Sequence, residues 1–158
     1  MIFNCAMADD ADVPRVVSAT REVAASAERI FELIADPSQQ PLWDGNNNLV
    51  KAESGQRIRS VGEVFRMALT NDSIRENHVV DFVEARSIAW NPSEVGQPPP
   101  GHLWRWELEP LGDGGTRVTH TYDWTQLSDQ TRLPVARAMT SEKLRASLDR
   151  LAELAERH

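Results

Sequence analysis

Over residues 49–126 apolar and polar side chains alternate with a period of two, and on either side the period lengthens to that of a helix. The alternation is clearest at 103–109. There Trp104, Trp106 and Leu108 share one face, while Arg105, Glu107 and Glu109 share the other. At 117–126 it places Val118, His120, Tyr122 and Trp124 opposite Arg117, Thr119, Thr121 and Asp123. Strands are predicted at 49–53, 63–70, 74–83, 87–91, 103–109 and 117–126, after a first β-branched strand at 16–23. The short connections Asn71-Asp72-Ser73, Glu84-Ala85-Arg86 and Gly112-Asp113-Gly114-Gly115 suit antiparallel hairpins. The exception is 92–101, where Gly96 and Pro98-Pro99-Pro100 predict a stiff, extended loop whose bending is confined to Gly96 or Gly101.

The flanking segments read as helices. Ser26 is placed to cap a helix whose Ala27, Ile30, Phe31 and Ile34 fall on one side, and Asp36-Pro37 stops it. A second short turn is predicted over 38–43, followed by a loop rich in Gly and Asn at 44–48. After Leu133-Pro134, Met139, Leu144, Leu148, Leu151 and Ala155 form an apolar stripe beside Glu142, Lys143, Arg145, Arg150, Glu153 and Arg157. That stripe predicts a long C-terminal helix beginning between 133 and 141 and running nearly to the end.

The order of these elements and certain residue runs resemble the Bet v 1-like, START-like (SRPBCC) superfamily, and within it the polyketide cyclase/dehydrase branch. The resemblance rests on the run from Ala24 through Ser26-Ala27-Glu28-Arg29-Ile30-Phe31 to Asp36-Pro37, followed by Pro41-Leu42-Trp43. It rests also on Val61-Gly62-Glu63-Val64-Phe65, Glu84-Ala85-Arg86-Ser87-Ile88-Ala89-Trp90 and Gly115-Thr116-Arg117-Val118-Thr119-His120-Thr121-Tyr122. It implies an α+β helix-grip fold: a seven-stranded, curved antiparallel sheet wrapped around the C-terminal helix, with two short helices after the first strand. A cavity between sheet and helix is implied as well. The resemblance carries no catalytic motif, because the superfamily hosts binders, cyclases and chaperone activators on one scaffold.

Composition narrows the possible partners. Lys and Arg total 17 against 24 Asp and Glu, a net charge of −7, which provides no general attraction to nucleic acid or anionic membranes. The single cysteine, Cys5, excludes an internal disulfide and a cysteine-built zinc cluster. No apolar run approaches the roughly 20 residues of a membrane helix, and the N-terminus lacks a basic signal region, so a cytoplasmic location is expected. Asp9, Asp10, Asp12 and Pro14 suggest a solvated tail over 1–13 before a single domain at 14–158, with Met1 or Met7 as the start.

Shared strand parity gives the inward face, and from it the candidate ligand-binding residues are Phe65, Met67, His78, Trp90, Trp104, Trp106, His120, Tyr122 and Trp124, with Trp43 and Met139 added from the helices. Phe65 and Met67, then His78, Val80 and Phe82, then Ile88 and Trp90 are expected to face inward. Trp104, Trp106, His120, Tyr122 and Trp124 join them, with Trp43 at the cavity mouth and Met139 on the helical stripe. Such an aromatic face reads either as plain core or as the wall of a binding site. His78 and His120 are either satisfied interior histidines or polar anchors for a ligand. No phosphate-binding glycine loop, nucleophile elbow or metal-ligand spacing is present in the sequence, so neither cofactor nor metal is expected. Three functions stay open. One is binding of a hydrophobic or aromatic small molecule such as a lipid or polyketide, as monomer or homodimer. The others are catalysis of the cyclase, aromatase or dehydratase type, and a protein-interaction role like that of Hsp90 activators.

Overall fold

The two longer helices of the chain each start at a side chain that satisfies a backbone N–H otherwise left without a partner. The computed structural model describes residues 13–45 and 49–157. The tail expected over 1–13 therefore lies outside the described residues except for Val13, which packs against the core. Strand β1 (Val16–Val23) leads to Ser26, whose hydroxyl accepts from the Arg29 N–H at 3.1 Å and opens helix α1 (Ala27–Ala35). Asp36 ends α1 and caps a 3-10 turn, Pro37–Gln39, by accepting from the Ser38 N–H. A single turn, α2 (Gln40–Trp43), follows. Its side chains return to α1: the Trp43 indole donates to the Leu33 carbonyl at 2.7 Å and the Gln40 amide to the Ile34 carbonyl at 3.1 Å. Two carbonyls at the open end of α1 are thereby satisfied, and Trp43 is fixed under the sheet.

The remaining strands are β2 (Leu49–Lys51), β3 (Val64–Leu69), β4 (Ile74–Val83), β5 (Ser87–Glu94), β6 (Leu103–Pro110) and β7 (Thr116–Asp123). All pairings are antiparallel, and the seven strands lie in the order β1-β7-β6-β5-β4-β3-β2. A 3-10 turn at Gln130–Arg132 and helix α3 (Leu133–Arg137) precede helix α4 (Ser141–Glu156). Helix α4 lies chiefly against β1 and β7 and touches α1 and α2, the helix-grip arrangement. Leu144, Leu148, Leu151 and Ala155 of α4 are buried against the sheet.

Four differences from the sequence reading have local causes. First, β7 stops at Asp123 because its carboxylate accepts from the Thr125 N–H at 2.9 Å and turns the chain. Second, β5 continues through Pro92 to Glu94. Its pairing with β6 ends at Trp90, so Pro92 sits on an edge where a missing N–H costs nothing. Third, the C-terminal helical region is two helices, because Thr140 adopts an extended backbone and caps α4 through the Lys143 N–H. Fourth, the β4–β5 register shifts between Val79 and Asp81. That bulge reverses the expected parity: Asn77 and Val79 are buried, while Val80 is 46% exposed.

The two loop glycines differ as well. Gly96 has φ +76° with open space around it, whereas a Cβ at Gly101, where φ is +122°, would lie 2.1 Å from the Gln126 carbonyl oxygen. The Ser128 N–H also bonds the Pro100 carbonyl at 3.1 Å, so this end of the loop is fastened and Gly101 is no hinge. Gly96→Ala is expected to cost about 1–2 kcal/mol, the ordinary cost of a left-handed backbone. Gly101→Ala should cost at least about 2–3 kcal/mol, since backbone must also move. Urea denaturation of the two variants checks the ranking, and equal losses would contradict it.

Candidate functional site

A cavity of about 200 Å³ lies between the inner face of the sheet, the α2 turn, α3 and α4. Its aromatic wall consists of Trp43, Trp90, Trp104, Trp106 and His120. Leu49, Met67, Leu69, Pro92 and Val135 give it aliphatic surface. Polar side chains come from Gln40, Asp44, Asn77, His102 and Ser147, and two cations, Arg75 and Arg132, complete it.

The aromatic wall is held by ring contacts. Trp106 is fully buried, meets Trp43 edge-on at 5.1 Å and stacks on His120 at 3.7 Å. Trp104 also stacks on His120, at 5.6 Å. His120 of β7 thus contacts two indoles that lie two residues apart on β6, with Trp106 directly opposite it. Its Nδ1 lies 3.1 Å from the Arg105 carbonyl oxygen. A carbonyl only accepts, so Nδ1 carries the proton and Nε2 is left as an acceptor. Burial holds this imidazole far below its ordinary value, at about 3, although the carbonyl bond acts in the opposite sense. Trp106 also lines this space, and its indole N–H is buried with no hydrogen-bond partner among the described residues.

Of the eleven candidate ligand-binding residues, Trp43, Met67, Trp90, Trp104, Trp106 and His120 line the cavity, and the other five stand elsewhere. Phe65 is buried behind Trp90, edge-on at 5.2 Å. His78 lies outside the lining, because β4 turns Asn77 inward; its Nε2 lies 2.9 Å from the Ser93 hydroxyl. Tyr122 packs on Trp104 at 4.5 Å and beside His102 at 6.0 Å, and burial pushes its phenol up to about 12. Trp124 is covered by the Arg15 guanidinium, 4.4 Å from its ring. Met139 falls in the break between α3 and α4, packed on the core.

Arg75, Asn77, His102 and Arg132 went unread in the sequence. Arg75 and Asn77 share parity with Val79, the face opposite to the one expected to point inward. His102 has the parity of Trp104 and Trp106 but precedes the strand, where alternation carries no weight. Arg132 sits in a 3-10 turn, which leaves no periodic trace. Burial, with Arg132 and then Arg75 adding repulsion, lowers His102 to about 4. Arg75 is lowered from its ordinary value by burial first and by Arg132 second.

Among the described residues, no helix is long and apolar enough to cross a membrane. An uncharacterised protein of Mycobacterium tuberculosis (strain CDC 1551 / Oshkosh) is 34% identical over 122 residues, covering 70% of this chain and 48% of that protein. The chain thus spans about half the length of the curated relatives it matches. A START superfamily protein from Mycobacterium smegmatis has a similar structure, with a TM-score of 0.65 at 20% identity, covering 91% of this chain and 99% of the other. The Aha1 dimer from Colwellia psychrerythraea gives a TM-score of 0.63 at 17% identity, covering 89% and 96%. At these identities the likeness is one of fold. Residues 14–156 match the family described as polyketide cyclase / dehydrase and lipid transport, and the chain belongs to that family.

Proposed function

We propose that this chain binds a small aromatic molecule in the cavity between the sheet and α4. The observation that carries the reading is a cavity walled by tryptophans, one of which, Trp106, keeps a buried indole N–H without a partner. A buried donor left unpaired costs about 1–3 kcal/mol, which a ligand acceptor would recover. Apolar walls with a few polar points suit recognition of this kind. At about 200 Å³ the cavity is smaller than the roughly 300–1,000 Å³ typical of drug-sized ligands, so the fitting body is one or two fused rings. The family description adds support, since it covers lipid transport as well as cyclase and dehydrase chemistry. A single domain spanning 14–158 and a cytoplasmic location belong to the same reading.

A cyclase or dehydratase would need a proton-transferring group poised near neutral pH. His120 and His102, at about 3 and about 4, are weak bases there and favour binding over catalysis. A role like that of the Aha1 neighbour would need an exposed docking surface instead of a cavity.

The test uses 2-naphthalenemethanol, a neutral two-ring probe, with tryptophan fluorescence as readout. Saturable quenching at one molecule per chain is expected. Leu69→Trp, which fills the cavity from a half-buried position, should weaken it at least roughly 10-fold, the effect of losing about 1.4 kcal/mol. Equal quenching of wild type and Leu69→Trp would contradict the reading.

A further inference from the structure

We propose that one end of this cavity is a carboxylate subsite, formed by Arg75 and Arg132 with His102, so that the ligand is an aromatic carboxylic acid. The inference rests on the binding reading above and assigns the ligand its charge. The protein carries a net charge of −7, yet two guanidiniums line the same small cavity. Two like charges beside each other are unfavourable unless an anion lies between or against them. Among the described residues no carboxylate fills that role well: Asp44, the one carboxylate in the lining, accepts from the Leu49 N–H at 3.2 Å. The Arg75 Nη1 is buried and has no hydrogen-bond partner, and among the described residues Arg75 makes no ion pair. Among the described residues Arg132 has only distant partners, Glu94 at 3.6 Å and Asp129 at 3.7 Å, both outside hydrogen-bonding range.

The third group is His102. It is 8% exposed, and its Nδ1 is buried without a partner. The imidazole can carry its proton on Nδ1 and donate it. Unmade bonds at Arg75 and His102 therefore meet a guanidinium only loosely held by Glu94. A carboxylate offers two oxygens with about four acceptor positions, and a guanidinium pairs with it through parallel N–H bonds. Glu94 stands opposite Arg75 in the β4–β5 ladder. With both arginines it also lines a second groove, shared with Asn71, Ser73, Ile74 and Val95. It is 72% exposed at its side chain, so it acts as a weak internal competitor for the cations.

The experiment compares 2-naphthoate with 2-naphthalenemethanol on the whole chain by fluorescence titration. Wild type should prefer the acid by roughly 10- to 100-fold, the value of a hydrogen bond to a charged group. Arg75→Gln and Arg132→Gln should each collapse that preference. Glu94→Gln, a change at the surface that leaves the fold intact, should raise the acid's affinity several-fold and leave the alcohol's unchanged. Equal binding of acid and alcohol by wild type would overturn the carboxylate subsite while leaving the cavity reading standing. Absence of saturable binding by either probe would overturn both.

Discussion

Trp106→Ala is expected to destabilise the fold by about 3–5 kcal/mol, the range for removing a large aromatic side chain from a packed core. Small domains have only about 5–15 kcal/mol in total, so the variant should be marginally folded at best. The large figure follows from position. Trp106 is fully buried on an interior strand, meets Trp43 edge-on and lies flat against His120, so its loss removes a ring contact from each of them. Collapse around the gap is hindered, because Trp43 is tied to α1 through the Leu33 carbonyl. Trp106→Phe separates packing from hydrogen bonding. The indole N–H has no partner, so removing it loses no bond, and this variant should cost less than half as much as alanine. Urea denaturation measures both. A loss below about 1 kcal/mol for Trp106→Ala would mean that this part of the core is loosely packed.

Stability should also fall steeply as the solution is acidified from pH 6.5 toward 4. Burial lowers both His102 and His120, to about 4 and about 3, while in the unfolded chain each has its ordinary value near 6.5. Above pH 6.5 neither state binds these protons, and the full stability is present. As the pH falls, the unfolded chain takes up two protons that the folded chain refuses, so the equilibrium shifts toward unfolding. At pH 5 each histidine contributes a loss of about 2 kcal/mol, and together about 4. The loss from His102 levels off near pH 4 and that from His120 near pH 3. Glu76 and Asp129 are held below their ordinary values, chiefly by a bond from the Gly96 N–H and by the Thr131 hydroxyl respectively. Their contributions disappear only further down, below about pH 4.5. Denaturant titrations between pH 7.5 and 4.5 test the slope directly. Stability that stays flat down to pH 5 would show that both imidazoles protonate in the folded chain.

The sequence made the scaffold legible because alternation and helical stripes record burial directly. Trp104, Trp106 and His120 lie on a regular hairpin with unbroken register, and parity alone placed them together. Parity failed where the backbone departs from regularity. The bulge at Val79 exchanges His78 for Asn77 and brings Arg75 to the cavity, a change that no pattern of side-chain types announces. Tyr122 and Trp124 have the correct parity but sit beyond the cavity's edge, since parity fixes a face and not a position along it. Met139 continues the apolar stripe in sequence, yet Thr140 caps a new helix after it. The cationic end was invisible for a related reason: Arg132 belongs to an irregular turn, where side-chain periodicity leaves no trace.

The tryptophan indole N–H signals in a nitrogen–proton correlation spectrum give the most direct test that the cavity is a binding site. Trp43, Trp90, Trp104 and Trp106 line it, and Trp124, equally buried but outside it, serves as the internal control. On titration with 2-naphthalenemethanol the first four signals should shift together along one saturable curve, with Trp106 moving furthest, while Trp124 stays in place. Signals that all remain unmoved at saturating probe, or a Trp124 shift as large as that of Trp106, would contradict binding in the cavity.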